Sequence, residues 1–206
     1  MIPETNWNAS WESNFPPIIM DDFCSIRADF HPRPENVTFD ILITPKMSFG
    51  TGHHATTSMM IQFMKELNFQ NKRVFDYGTG TGILAILAHF LGAKEIHAID
   101  IDKWSVENAR ENFERNNCSD ILLELGELSL IQNNQPYDII LANINRNVLL
   151  DSMERLAELL SDKGKLLLSG ILIEDKEIIK QTAATVKLQC LNEKNQGQWS
   201  SILFEK

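Results

Sequence analysis

The residues best suited to chemistry are the run Val74-Phe75-Asp76-Tyr77-Gly78-Thr79-Gly80-Thr81-Gly82. A strand that runs into Gly-x-Gly-x-Gly and then into a helix makes a turn with no side chains in the way. The backbone can approach a ligand closely there, and the helix amino terminus points at it. The dinucleotide fingerprint requires glycine at position 83, where this chain has Ile83, and the phosphate loop Gly-x4-Gly-Lys-Ser/Thr is absent. A pyrophosphate ligand is therefore not expected. Asp100 closes the next strand, where a carboxylate can accept hydrogen bonds from both ribose hydroxyls of a nucleoside. Asp76, ending the first strand, is suited to hold the glycine turn or an ammonium group. Glycines after a strand are often only a structural turn. An acid before them and an acid closing the next strand shift the balance to nucleoside binding. S-adenosylmethionine, a nucleoside without phosphates, fits this pattern better than NAD.

These residues need a parallel sheet to bring them together, and the pattern from residue 54 onward supplies one. Thr56, Thr57 and Ser58 precede an apolar stripe of Met60, Phe63, Met64 and Leu67, which predicts a capped amphipathic helix. Strands are expected at Arg73–Tyr77, Lys94–Asp100, Ile121–Leu125, Tyr137–Ala142 and Lys165–Ser169. Helices are expected at Ile83–Leu91, at Trp104–Asn116 with Asp102 as its cap, at Val148–Leu160 ending on Asp162-Lys163-Gly164, and near Glu174–Val186. Leu188–Leu191 and Trp199–Phe204 predict a closing hairpin. Such alternation predicts an α/β fold with helices covering a mostly parallel sheet and ligands at the carboxyl ends of its strands.

Residues 1–45 read differently. They hold six of the seven prolines and two of the four tryptophans, and two alternating runs, Phe23–Phe30 and Val37–Thr44, predict a β-hairpin with a long connection. The expected division is a linker helix and hairpin segment at 1–45 and a catalytic domain at 46–206. The whole chain is 206 residues with a net charge of −9, ordinary for one soluble domain. Cys24, Cys118 and Cys190 are odd in number and scattered, which argues against a disulfide framework and against zinc. The acidic balance disfavours direct nucleic-acid binding and suits a basic protein partner. The apolar run Ile83–Ala93 is far short of the ~20 residues a membrane span needs. The opening residues carry no signal pattern, so a cytoplasmic location is expected.

The run Pro45-Lys46-Met47-Ser48-Phe49-Gly50-Thr51-Gly52-His53-His54-Ala55-Thr56-Thr57 resembles the signature that precedes the core of the bacterial ribosomal protein L11 methyltransferases. Asp76–Gly82, Ile99-Asp100-Ile101-Asp102, Ala142-Asn143-Ile144 and Leu168-Ser169-Gly170-Ile171-Leu172 resemble the same family in the same order. The resemblance runs from about Asn6 to the carboxyl terminus. It implies a Rossmann-like seven-stranded core, S-adenosylmethionine as cofactor, and methylation of lysine side chains and the α-amino group of one large-subunit ribosomal protein. Methylation of another protein or of a small amine is the alternative. The family places a small α+β recognition domain ahead of its linker, and this chain is expected to lack it, because it opens at about the linker, Asn6–Trp11.

The resemblance puts Thr57, Gly78, Asp100 and Asn143 on cofactor-contacting positions, with His54 nearby. Asp76 and Gly80 complete the expected cofactor set. Thr57 could cap its helix or meet the methionine carboxylate. His53 and His54 have no third ligand at sensible spacing, so no metal is expected. Asn143 is the expected catalytic residue: its amide oxygen can accept an N–H from the substrate amine and aim the lone pair for in-line displacement. Related amine methyltransferases place Asn-Pro-Pro-aromatic here, whereas this chain has Asn143-Ile144-Asn145-Arg146. Gly126–Leu128 is expected beside adenine. No strong general base is evident, and partial desolvation of the substrate amine would ease its deprotonation. An NAD-dependent oxidoreductase is disfavoured by Ile83 and by Asn143-Ile144. A binding-only protein is disfavoured by the completeness of the set.

Overall fold

A computed structural model describes residues 17–44, 55–132 and 135–206. The Pro45–His54 run, with the expected site residue His54, and the linker at Asn6–Trp11 lie outside the described residues.

Strands β1 (Ile18–Met20), β2 (Cys24–Arg27) and β3 (Phe39–Leu42) form a small sheet. Helix α1 (Ala55–Glu66) leads to β4 (Arg73–Tyr77), α2 (Ile83–Phe90), β5 (Glu95–Asp100), α3 (Lys103–Arg115) and β6 (Leu122–Leu125). Then come β7 (Tyr137–Asn143), α4 (Arg146–Leu159), β8 (Leu160–Leu172), α5 (Lys176–Thr185), β9 (Gln189–Gln196) and β10 (Trp199–Glu205). The large sheet has seven strands in the order β6-β5-β4-β7-β8-β10-β9. Its first five are parallel, and β10 runs antiparallel to both β8 and β9. The strand order reverses between β4 and β7, and that is where ligands enter sheets of this class.

Period-two alternation along the strands decides what faces each side. Val74, Ala98, Ile139, Leu141 and Leu167 belong to the apolar cluster under α1 and α2. Phe75, Ile99, Ile140, Ala142 and Leu168 belong to the cluster on the α4 and α5 side. Continuing the first phase by one step puts Asp76, Asp100 and Asn143 on a single face, each at a strand's carboxyl end. Ile26, Ile41 and Ile43 of the small sheet share the α1–α2 cluster.

Three expectations are corrected. The runs around β2 and β3 do not form a hairpin: β2 and β3 are parallel, with Ser25 opposite Asp40 and Ile26 opposite Ile41. The hairpin is β1–β2, closed by a tight turn in which the Phe23 N–H bonds Met20 O at 3.1 Å. The long connection between β2 and β3 frees the second run to return in either direction. The parallel choice sets the Asp40 carboxylate against Ser25 Oγ at 2.7 Å and Arg27 Nε at 2.9 Å. The chain does not pause at Asp162–Gly164 after a helix. It enters β8 directly at Leu160, and Lys163 (φ 60°) sits in a bulge that shifts the register between Tyr137 and Ile139. Thr57 lies within the first turn of α1, which begins at Ala55, and so does not hold the cap position.

Candidate active site

The glycine turn is held from three sides. Gly78 and Thr79 N–H groups both bond Ile99 O, at 3.0 and 2.9 Å, which ties the end of β4 to β5. The Gly80 N–H bonds Asp100 Oδ2 at 2.9 Å, and the Asp102 N–H bonds Oδ1 at 2.9 Å. Each oxygen therefore has one backbone donor and keeps one lone-pair direction for a further hydroxyl. The turn requires glycine. Gly78 has φ +74°, and a Cβ there would stand 2.3 Å from Ile144 Cγ2.

Asp76 lies beneath this turn with 1% of its surface exposed. Its Oδ2 accepts the Thr79 hydroxyl at 2.6 Å, while Oδ1 has no hydrogen-bond partner among the described residues. Burial pushes its carboxyl up from 3.8 to about 7. The Asp100 charge adds to that rise, and the Thr79 hydroxyl opposes it. A buried carboxylate with one idle oxygen is a site that a cation can satisfy.

Asn143 ends β7, and its Nδ2 donates to Thr57 Oγ1 at 3.1 Å. That bond orients the amide and leaves Oδ1 as its acceptor. The Asn143-Ile144-Asn145 loop lacks the prolines of the related motif and is held by packing instead. Ile144 sits between Gly78 and Gly170, and a Cβ on Gly170 (φ +86°) would stand 2.3 Å from Ile144 O. Asn145 then caps α4 by accepting the Val148 N–H at 3.1 Å, which starts that helix at Arg146, earlier than Val148.

One cleft of about 420 Å³ joins these parts. Its wall includes Gly78, Gly80, Asp100, Asn143, Ile144 and Trp199, with Tyr77 and Gly170 among the others. Four of the seven expected residues, Gly78, Gly80, Asp100 and Asn143, thus share its wall. Asp76 and Thr57 stand behind that wall and bond residues of the turn or of the wall. Gly126–Leu128 is off the lining, and Gly126 N–H bonds Asp100 O at 2.9 Å. Tyr77 and Gly170, inside runs the sequence singled out but not among the expected site residues, also line the cleft, and Trp199 was not read as part of it at all. Gly170 and Trp199 come together only through the β8–β10 pairing, in which Trp199 stands opposite Leu172.

The donor set suits a nucleoside that carries a cation. Asp100 offers two free acceptor directions, Asp76 an idle buried oxygen, and the glycine turn a wall without side chains. Among the described residues the wall carries no cluster of basic groups for phosphates. Among the described residues no group of three or more His, Cys, Asp or Glu is placed to hold a metal, and no helix is long and apolar enough to cross a membrane.

Comparison with known proteins agrees with this chemistry. The sequence profile described as "Ribosomal protein L11 methyltransferase (PrmA)" matches residues 1–206. A ribosomal protein L11 methyltransferase of Porphyromonas gingivalis is 43% identical over 203 residues, covering 98% of this chain and 70% of that protein. One of Bacteroides fragilis is 40% identical over 202 residues, covering 98% of this chain and 72% of its own. Among solved structures, a ribosomal protein L11 methylase of Lactobacillus delbrueckii superposes with a TM-score of 0.83 at 31% identity, covering 91% of this chain and 97% of that one. A methyltransferase of Pyrococcus furiosus, 21% identical with a TM-score of 0.65 over 80% of this chain and 88% of its own, shares the fold.

Proposed function

Because the chain belongs to the ribosomal protein L11 methyltransferase family, and so uses S-adenosylmethionine as methyl donor, we propose that it methylates amines of ribosomal protein L11, on lysine side chains and the α-amino group. The observation that carries this reading is Asn143. It lies in the same cleft as Asp100, its Nδ2 is engaged by Thr57, and its carbonyl oxygen is left to accept from an amine. S-adenosylmethionine, when bound, supplies a methyl group on a positively charged sulfur.

The chain's residues do the rest. Asp100 would accept the ribose hydroxyls on the lone pairs its backbone bonds leave over. Gly78 and Gly80 keep the turn low enough for close approach. Asp76, just behind the wall, would supply the counter-charge to the positive end of the methionine portion, and His54, from the segment ahead of α1, would complete the set. Asn143 accepts one N–H of the incoming amine and holds the nitrogen lone pair in line, which is a positioning role worth several kcal/mol of barrier. The apolar wall of Ile144, Val148 and Trp199 desolvates the amine, lowering its pKa from ≈ 10.4 toward the neutral, nucleophilic form. The bacterial cytoplasm, where ribosomal proteins are made, is the compartment this activity requires.

The test is mass spectrometry of ribosomal protein L11 incubated with the chain and S-adenosylmethionine, alongside Asn143→Ala in single turnover. Mass increments of methyl groups on lysine and the amino terminus are expected, with the variant slower by on the order of 10²-fold. An unmodified L11 together with a methylated small amine or other protein would redirect the substrate assignment. Equal single-turnover rates would remove Asn143 from the mechanism.

A further inference from the structure

Helix α3 carries Asn108 and Asn112, and Asn116 caps its carboxyl end, so the three, four residues apart, lie along one stripe. All three are buried, the first two completely. Buried asparagines in a helix interior need partners, and these find them on β3 and beyond. Only one edge of β3 is paired with β2; that edge takes Phe39 and Ile43 N–H groups. The other edge, at Leu42 and Thr44, meets side chains in place of a strand. Leu42 N–H donates to Asn116 Oδ1 at 2.9 Å, and Asn116 Nδ2 donates back to Leu42 O at 2.6 Å. Thr44 N–H donates to Asn112 Oδ1 at 2.7 Å, and Asn108 Nδ2 donates to Thr44 O at 3.3 Å. A carboxamide has the donor and acceptor of a peptide group, so the row acts as a surrogate strand.

Asn112 does one thing its neighbours on the stripe do not. Its Nδ2 also donates to Thr81 O at 2.8 Å, inside the glycine turn, and to Asn108 Oδ1 at 2.8 Å. The next residue, Phe113, closes on the same turn: a Cβ on Gly82 would stand 2.5 Å from its ring. One side chain thus joins the end of β3, from which the chain passes into Pro45–His54, to the backbone of the turn that lines the cleft.

We infer that Asn112 is a positioning residue for the cofactor, fixing the glycine turn to the outgoing end of β3 so that docking of the small sheet and cofactor binding support each other. This rests on the glycine turn being the cofactor's seat. By thermodynamic reciprocity, what tightens one must tighten the other. Asn116 serves as the internal control, since it grips β3 as firmly but has no bond to the turn.

The experiment is calorimetric titration of the full chain with S-adenosylhomocysteine, alongside thermal melting. Asn112→Ala and Asn116→Ala should lower Tm comparably. Only Asn112→Ala should weaken binding, by about tenfold, while Asn116→Ala stays within about twofold, as expected for loss of one buried hydrogen bond that shapes the turn. Asn112→Asp keeps the acceptor for Thr44 N–H and loses the donor to Thr81 O. It should bind weakly at neutral pH and recover toward the unaltered protein as acid restores a donor hydroxyl, a response that a purely structural role would not give. It carries the test alone should Asn112→Ala not fold. Unchanged affinity in both Asn112 variants, or equal weakening in Asn116→Ala, overturns the inference. Failure of the unaltered chain to bind would instead overturn the reading of the turn, and the inference with it.

Discussion

Replacing Asp76 by Asn removes the charge that the core beneath the glycine turn is least able to solvate. The side chain is 1% exposed, its Oδ2 takes the Thr79 hydroxyl, and its Oδ1 has no hydrogen-bond partner among the described residues. Burial and the Asp100 charge therefore raise its carboxyl from 3.8 to about 7. The folded protein holds this proton more tightly than the unfolded chain does. Its contribution to stability is full below 3.8 and is lost as pH rises through about 7. That interval, at about 1.4 kcal/mol per pH unit, amounts to on the order of 4 kcal/mol. Asn is neutral at every pH, can accept the Thr79 bond, and puts an NH2 where the protonated acid would put its hydroxyl. It therefore mimics the protonated form. Without cofactor, the variant and the unaltered protein should melt nearly together at about pH 4. The variant should then gain steadily to about pH 7, ending roughly 8–16 °C higher at 2–4 °C per kcal/mol. On the proposed reading, the cofactor's ammonium would give the ionised carboxylate its missing partner. Cofactor binding to the unaltered protein below pH 7 should thus release a proton, read as a buffer-dependent heat, and Asp76→Asn should release none. A melting difference that stays constant across the pH range would refute the assignment of this charge.

Asp100→Ala strips the carboxylate from both the turn amides and the proposed ribose hydroxyls, so titration should show S-adenosylhomocysteine binding weakened by 10²-fold or more, about 1.5–3 kcal/mol per charged bond; equal affinity would take Asp100 out of the site. Gly170→Ala forces a Cβ to 2.3 Å from Ile144 O at φ +86°, so it should slow single-turnover transfer by on the order of 10²-fold while changing cofactor affinity less; an unaltered rate would show that the loop does not need this contact. Burial works against the Asp40 charge, yet the Ser25 hydroxyl and the Arg27 and Arg33 guanidinium groups hold its carboxyl below 3.8. Its stabilisation is present above that value and is lost as pH falls through the lower folded one. Asp40→Asn should accordingly lower Tm at neutral pH and flatten its fall between about pH 5 and 3, and an acid limb as steep as before would show that another group governs it.

Much of the cleft was legible because strand ends and turn residues are local features. Asp100 and Asn143 end their strands and Asp76 is next to last in its own, and their common face follows from alternation alone, once the strands are parallel and in register. The direction of β3 was not legible, because an alternating run reads identically forward and backward. Its choice lies in the long-range Ser25, Arg27 and Asp40 bonds. Nor was the work of the α3 asparagines read, since Asn on a helix usually marks a solvated face. Their repeat every fourth residue, beside the apolar Ala109 and Phe113, was a signal that the stripe is covered.

Prolines are one way to stiffen the loop after Asn143, and this chain uses another. Two prolines would stiffen the loop through their own fixed φ, a property written locally in the chain. Here stiffness comes from Ile144, whose side chain fills the space left by Gly78 and whose carbonyl lies against Gly170. Those glycines belong to β4's exit and to β8, so the restraint on Asn143 is distributed over three separated segments. Each glycine is needed for its positive φ and again for the room it leaves. The amide proposed to aim at the substrate is accordingly held against the turn proposed to seat the cofactor, and the two meet at one isoleucine.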